Sequence, residues 1–193
     1  MNRLTRDVFV ERTQSLLLRQ GGLDVSLSSV LEACNANKGS LYHFFPNGKE
    51  ELLVAAMERQ AEHALASNRA FIAKSKTTGE AVFRLAKSLG EMIDRRDCPD
   101  FLPFSAAGAI CDEASEELRS VCIKTLDTLE KLYAESLRRD GVPTRVAKSL
   151  ASTIVSTIEG ALLQSRARNN SASVRFAATH LRTMIETCVD RYA

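Results

Sequence analysis

The stretch from Cys34 to Phe45, Cys-Asn-Ala-Asn-Lys-Gly-Ser-Leu-Tyr-His-Phe-Phe, combines side chains that commonly contact nucleic acid. A short helix beginning after Asn37 would turn Leu41, Phe44 and Phe45 inward. Its backbone amides and its lysine could meet phosphate, and its small residues would let the backbone approach base edges in the major groove. The residues that such a helix would present outward are Lys38, Gly39, Ser40, Tyr42 and His43.

Two asparagines predict how this helix is connected. Asn35 stands where a preceding helix would end, and asparagine often replaces glycine in the left-handed conformation that closes a helix. Asn37 stands where the next helix would begin, and asparagine is among the strongest N-caps. Two helices joined by so short a turn form a helix-turn-helix.

Elements on either side would position this motif. An amphipathic helix is expected over residues 5–20, ended by Gly21-Gly22. Ser26 is a good N-cap for the second helix and would also touch a DNA phosphate; the alternative is a cap alone. Pro46-Asn47-Gly48 predicts a turn, after which Lys49 opens a long helix. A lysine there opposes the helix dipole and therefore needs another explanation, of which a solvated surface lysine is one.

The run Lys-Gly-Ser-Leu-Tyr-His-Phe-Phe, followed by Gly48-Lys49-Glu50-Glu51-Leu52, resembles the recognition helix and fourth-helix start of TetR/AcrR-type one-component repressors. The resemblance extends upstream to Gly22, over roughly the first quarter of the chain. The family's usual Gly-Val-Ser turn is here Asn35-Ala36-Asn37, preceded by Cys34 instead of the usual small residue, which leaves base specificity open. The run from Phe44 to Leu52 and the later Cys98-Pro99 also resemble the branch with lincomycin- and multidrug-resistance repressors.

The resemblance implies a ligand-responsive repressor. A homodimer of this repressor would occupy a palindromic double-stranded DNA operator. It would leave the operator when a small apolar effector binds the C-terminal part of the chain. Phosphate contacts are then expected for Tyr42, His43 and Lys49, and base contacts for Lys38 and Ser40. Control of a drug pump is the expectation for the narrower branch.

Composition agrees with a globular helical protein that has only a local basic surface. The chain has 193 residues, 45% of them hydrophobic and 26% charged, with 4 Pro and 9 Gly. Because the net charge is only +2, any DNA contact must come from a local patch. The first 50 residues carry six Lys or Arg against five acids, which is weak electrostatic support.

Helical periodicity continues to the C-terminus and predicts about nine helices in an all-α fold. Thr77-Thr78-Gly79 is expected to end the long helix, and a short uncharged segment is expected from Phe101 to Cys111. The division expected is a DNA-binding head at residues 1–48 and an effector-binding and dimerisation body at 49–193. The remaining predicted helices are residues 80–96, a helix that begins in the run Ser115-Glu116-Glu117 and continues to Arg139, and residues 144–168 and 172–191.

The low-charge middle of the body is the expected effector site. The resemblance places a pocket there, and such pockets are apolar with few polar groups. Any one of these residues alone is more often ordinary core. As a group, the candidates are Leu89, Met92, Phe101, Leu102, Phe104, Cys111, Leu126 and Tyr133.

The last two helices are the expected dimer interface, because small residues lie beside their apolar stripes. Gly160 is the most informative, since glycine inside a helix costs about 1 kcal/mol relative to alanine. A close helix–helix approach would account for it; a kink or simple tolerance is the alternative. Two helices from each chain would form a two-fold four-helix interface. The expected contact residues are Ile154, Ile158, Gly160, Ala161, Ala178, Leu181 and Ile185.

The sequence offers no pattern for catalysis or metal binding. Its three histidines are far apart, its five cysteines lack metal-ligand spacing, and phosphate-loop, nucleophile-elbow and His-Glu-x-x-His motifs are absent. We therefore expect neither an enzyme nor a cofactor. With no signal core and no membrane-length apolar stretch, a cytoplasmic protein with reduced thiols is expected. The alternative function is a helical protein-interaction module without DNA binding, which would expose apolar anchors at helical spacing.

Overall fold

The computed structural model describes residues 4–20, 25–95, 103–109 and 116–192. Within these ranges the chain forms nine α-helices and no strand, so the expected all-α class is confirmed. The helices are α1 Arg6–Gln20, α2 Leu27–Cys34, α3 Lys38–Phe44, α4 Lys49–Ala73, α5 Thr78–Arg95, α6 Phe104–Ala109, α7 Glu116–Arg139, α8 Thr144–Arg168 and α9 Ala172–Asp190.

The break between α4 and α5 lies earlier than the sequence predicted. It falls at residues 74–77, and Thr78 and Gly79 already belong to the first turn of α5. Thr78 donates from its backbone N–H to Asp140 Oδ2 at 2.6 Å and from Oγ1 to Ser136 Oγ at 2.7 Å. These bonds satisfy a free amide at the start of α5 and fix it to the end of α7.

Helices α5, α7, α8 and α9 share the main core of the body. A Cβ on Gly79 would lie 3.3 Å from Glu186 Cγ and 3.5 Å from the Arg182 carbonyl oxygen, so glycine is what lets α9 approach α5 closely. By length and composition α8 could cross a membrane, but residues such as Ile154 and Leu162 are buried in this core, which accounts for its apolar character.

A separate core holds the first three helices together and extends into α4. Phe9 of α1 is fully buried between Phe44 and Phe45, with ring centroids 6.0 Å away in both cases. The first turns of α4 add Leu52 and Ala56 to the same core. The core of the first three helices therefore extends past residue 48, where the sequence predicted the end of the head.

The start of α4 also faces the body. Val54 and Met57 pack with Phe104 of α6 and with Leu118 and Cys122 of α7 in a third cluster. The first turns of α4 therefore pack both in the head core and in this third cluster, which includes body helices. Any rotation or shift of α4 must disturb the packing of the head or of the body, because packed interiors leave little free volume.

Candidate nucleic-acid interface and effector cavity

The turn between α2 and α3 is closed by the two predicted asparagines. Asn35 adopts φ 48° and ψ 49°, the left-handed conformation, and its N–H donates to the Glu32 carbonyl at 3.0 Å. Asn37 is extended, and its Oδ1 accepts the Ser40 N–H at 2.8 Å and the Ser40 hydroxyl at 3.1 Å. Both predicted caps are confirmed.

The faces of α3 are divided as the sequence predicted. Leu41 and Phe45 are buried and Phe44 is half-buried against Phe9, while the outward side chains leave the backbone of the first turn accessible. Ser40 is half-buried because its hydroxyl is held by Asn37. The exposed residues of this helix are Lys38, Gly39, Tyr42 and His43.

Ser26 is exposed and caps α2. Its Oγ accepts the Ser29 N–H at 3.0 Å and lies 2.8 Å and 2.7 Å from the hydroxyls of Ser28 and Ser29. The predicted cap is confirmed. The phosphate contact at this group of hydroxyls stays a prediction.

Tyr42 and Lys49 lie near each other because the Tyr42 ring packs on Gly48, the residue that precedes Lys49. Gly48 has φ 74°, and a Cβ there would lie 3.2 Å from Tyr42 Cε1, so the tyrosine ring packs directly on this turn. Lys49, the next residue, is half-buried at the first position of α4. The structure therefore brings two of the three expected phosphate contacts together at the α3–α4 turn.

Between α1 of the head and helices α4 to α8 lies a cavity of about 390 Å³. Four of the predicted effector residues line it: Leu89, Met92, Phe104 and Tyr133. Leu126 does not line it and packs instead against the body core and the third cluster. Phe101, Leu102 and Cys111 lie outside the described residues, as do Cys98-Pro99 and residues 21–24 of the family resemblance.

The sequence interpretation missed the polar part of this wall. On α4 the missed residues recur at helical spacing, and Glu159 is the one charged residue in a long uncharged run of α8, so both signals were present in the sequence. Predicting them would have required knowing which face of α4 meets the cavity. The missed polar lining residues are Gln14, Ser15, Gln60, His63, Ser67, Asn68 and Glu159.

Two of the polar groups in the wall are deeply buried. The Tyr133 hydroxyl donates to Asn68 Oδ1, and Asn68 Nδ2 donates to the Ala64 carbonyl at 2.8 Å. Burial raises the pKa of Tyr133 well above its usual value. Glu159 is 8% exposed, and burial raises the pKa of its carboxyl against the opposing effect of hydrogen bonds from Ser105 and the Phe104 backbone.

The predicted dimer residues require a correction. All except Gly160 are buried within the chain itself, and Ile158 lines the effector cavity. Most of the branched apolar residues of α8 and α9 face the chain's own core, where their surface is removed from water. The residues placed in this core are Ile154, Ile158, Ala161, Ala178, Leu181 and Ile185.

The opposite face of α8 and α9 is exposed and carries three large apolar side chains among polar ones. Leu163 is 47% exposed, Phe176 67% and Met184 37%. Gly160 is half-exposed near this face, and a Cβ on it would meet no atom within 4 Å. No packing within the described part of the chain therefore requires glycine at position 160.

Two family profiles match the chain. One, described as "Bacterial regulatory proteins, tetR family", matches residues 15–56. The other, described as "Transcriptional regulator LmrA/YxaF-like, C-terminal domain", matches residues 78–180. The first match includes the helix-turn-helix and ends in the part of α4 that packs in the head core.

The chain is also similar to whole proteins. The HTH-type transcriptional regulator YxaF of Bacillus subtilis (strain 168) is 27% identical over 184 residues, 94% of this chain and 95% of the relative. LmrA of the same strain is 26% identical over 167 residues, 86% and 89% of the two chains.

Solved structures share the fold. A TetR-family regulator from Cytophaga hutchinsonii superposes with a TM-score of 0.82 at 22% identity, covering 95% of this chain and 94% of the other. A cysteine mutant of the TetR-family regulator CifR, in complex with a 26-bp double-strand operator DNA, superposes with a TM-score of 0.72 at 20% identity, covering 100% and 99%.

Proposed function

Because this chain belongs to the LmrA/YxaF-like transcriptional regulators of the TetR family, we propose that it is a repressor that leaves its operator when a small, largely apolar molecule binds the body. The observation that carries this proposal is the cavity whose wall combines α1 of the head with the body helices. The family consists of DNA-binding regulators, so the prediction of a non-enzyme is confirmed and an interaction module without DNA binding is not favoured. An operator as partner would place the protein in the cytoplasm.

The proposed DNA-facing surface combines α3 with the two helix starts beside it. The exposed first turn of α3 supports base contacts by Lys38, and Tyr42 and Lys49 adjoin at the α3–α4 turn. The Ser40 hydroxyl proton is given to Asn37, so its oxygen would accept from a base amino group. The proposed set is Ser26, Lys38, Gly39, Ser40, Tyr42, His43 and Lys49.

The proposed dimer uses the exposed face of α8 and α9. Leu163, Phe176 and Met184 are large apolar side chains exposed to water, and a second copy would cover them with two-fold symmetry. The open space at Gly160 would allow a close approach of the partner helix. Such a dimer would present two α3 helices to the half-sites of a palindrome. Residues 1–48 would then act as the head and 49–193 as the body.

The cavity wall suggests how the effector would act. Gln14 Nε2 of α1 donates to Gln60 Oε1 of α4 at 2.7 Å, and both side chains line the cavity. A bound molecule would press on both helices and on the α4 turns shared by the two cores. For release, the effector must bind the DNA-incompetent arrangement more tightly than the competent one.

The test begins with DNA selected from a random duplex pool by the purified protein. Selected sites should contain an inverted repeat, and compounds are then screened for release of the protein from a labelled site. Ala64→Phe would fill the cavity from α4, whereas Ala66→Phe places the same side chain on an exposed position of that helix.

We expect both variants to bind the site and only Ala64→Phe to lose release. Release that survives Ala64→Phe would contradict the proposed cavity. Failure to select any inverted repeat would contradict the proposed operator recognition.

A further inference from the structure

The cavity has an unusual charge composition for an apolar site. Most of the described wall is aliphatic or aromatic, and no lysine or arginine of the described ranges lines it. The ionisable side chains in the described part of the wall are His63 on α4, Tyr133 on α7 and Glu159 on α8. Glu159 is the one acid among them, and it faces the same space as Phe104 and Tyr133.

Glu159 is held by neutral donors. Its Oε2 accepts the backbone N–H and the hydroxyl of Ser105, both at 2.8 Å. No lysine or arginine of the described ranges forms an ion pair with it, although it is only 8% exposed. The carboxylate is therefore desolvated and compensated by the dipoles at the start of α6 rather than by a cation.

Holding α6 does not require a charge. A glutamine at position 159 could accept the same two bonds through its amide oxygen without the cost of burying an ion. That cost is reflected in the raised pKa of Glu159, which burial dominates. Because the bonds to Ser105 do not require the negative charge of Glu159, a positively charged ligand in the cavity would account for it.

We propose that the effector of this protein is an organic cation, with an apolar body against the aliphatic and aromatic wall and a protonated amine against Glu159. The inference rests on the proposed function, because it concerns the same cavity. The amine would replace lost hydration with a charge-assisted hydrogen bond. Phe104 and Tyr133 would add cation–π attraction from the same wall. An anion of the same shape would meet the buried carboxylate without a compensating cation and be rejected.

The test uses three fluorescent probes of matched size. Dansylcadaverine carries a protonated amine, dansyl pentylamide is neutral, and dansyl-6-aminohexanoic acid is anionic. Fluorescence titration measures their Kd for the full-length protein, for Glu159→Gln and for Glu58→Gln, an exposed acid of α4 outside the cavity. Ser105→Ala supplies a second cavity variant, which keeps the charge and removes one of its donors.

We expect the wild-type protein to bind dansylcadaverine roughly tenfold or more tightly than the neutral probe, as for hydrogen bonds to charged groups. Glu159→Gln should abolish this preference and leave the neutral probe's Kd unchanged. Glu58→Gln should behave like the wild type, and Ser105→Ala should strengthen amine binding.

Equal affinity for the amine and neutral probes in the wild type would overturn the inference, as would unchanged amine preference in Glu159→Gln. If Glu159→Gln does not fold, an amine affinity that falls in Ser105→Ala overturns it instead. Probe binding without charge preference, together with loss of DNA release in Ala64→Phe, would leave the repressor proposal standing and reject the cation alone.

Discussion

Gln14 Nε2 lies 2.7 Å from Gln60 Oε1, and this hydrogen bond joins a head helix to the body portion of α4 at the cavity wall. Gln14 is 8% exposed, so the bond is shielded from water on the side of α1. A polar link of this kind is sensitive to what fills the cavity, because a displaced amide loses a bond that water cannot readily replace.

We expect Gln60→Leu to weaken the effector's influence on DNA binding. Leucine cannot accept from Gln14, and a net hydrogen bond contributes about 1 kcal/mol, so the ratio of operator affinities without and with effector should fall several-fold. Fluorescence anisotropy of labelled operator measures this ratio. Ser15→Ala is the control, since Ser15 lines the cavity but bonds to the Glu11 carbonyl within α1. An unchanged ratio in Gln60→Leu would remove this bond from the coupling.

Lys49→Ala should weaken binding to operator and non-operator DNA alike. The loss of one phosphate contact should reduce the slope of log K against log salt by about 0.9. Titrations at several salt concentrations measure the slope, with Lys87→Ala, an exposed lysine of α5, as the control. If Lys49→Ala and Lys87→Ala give the same slope as the wild type, Lys49 does not contact DNA.

Asn37→Ala should destabilise the head by about 1 kcal/mol, because it removes the N-cap of α3. It also frees the Ser40 hydroxyl, so the base preference opposite Ser40 should relax. Urea unfolding measures the first effect and selection from mutated operators the second. Asn37→Ser retains a capping oxygen and should restore most of the stability. Equal stability of Asn37→Ala and wild type would contradict the role of the cap.

Phe176→Arg should split the proposed dimer while the chain stays folded. Its side chain is 67% exposed in the single chain, so the arginine harms only the covered state. Ile123→Arg on α7, at a site 51% exposed, is the matched control and should remain dimeric. Analytical ultracentrifugation measures the mass and circular dichroism the fold. A dimeric Phe176→Arg protein would show that another face pairs.

The buried position of Ala178 predicts a different outcome for Ala178→Arg. Its side chain is 2% exposed in the body core, so arginine there should unfold the body rather than divide a folded dimer. A folded monomer with this substitution would contradict the packing of α9.

Glu159 should make stability fall as pH rises. Its folded-state pKa is raised above the unfolded value, so its favourable contribution is complete below the unfolded pKa and is lost as pH passes the folded pKa. Relative to wild type, Glu159→Gln should therefore become more stable with rising pH. Urea unfolding from pH 4 to pH 8 measures the difference, with His63→Gln as a control at another polar side chain of the cavity wall. A difference independent of pH would contradict the raised pKa.

The sequence by itself determined the helix order, the caps and the inward and outward faces of α3. Asn35 and Asn37 act through bonds to residues at most a few positions away, so their roles can be read from local sequence. The inward Leu41 and Phe45 follow from the helical period and from hydrophobicity. These features depend on short-range geometry that every helix shares.

Only the tertiary structure decided which apolar face of α8 and α9 is core and which is free. Ile154 and Ile185 are large and apolar, as are Leu163 and Phe176, and periodicity alone does not say which set meets α5 and α7. The cavity was decided in the same way, since Gln14, Gln60 and Glu159 converge from three helices far apart in sequence. Helical period fixes the angle between residues on one helix, whereas the meeting of faces depends on how all the helices pack together.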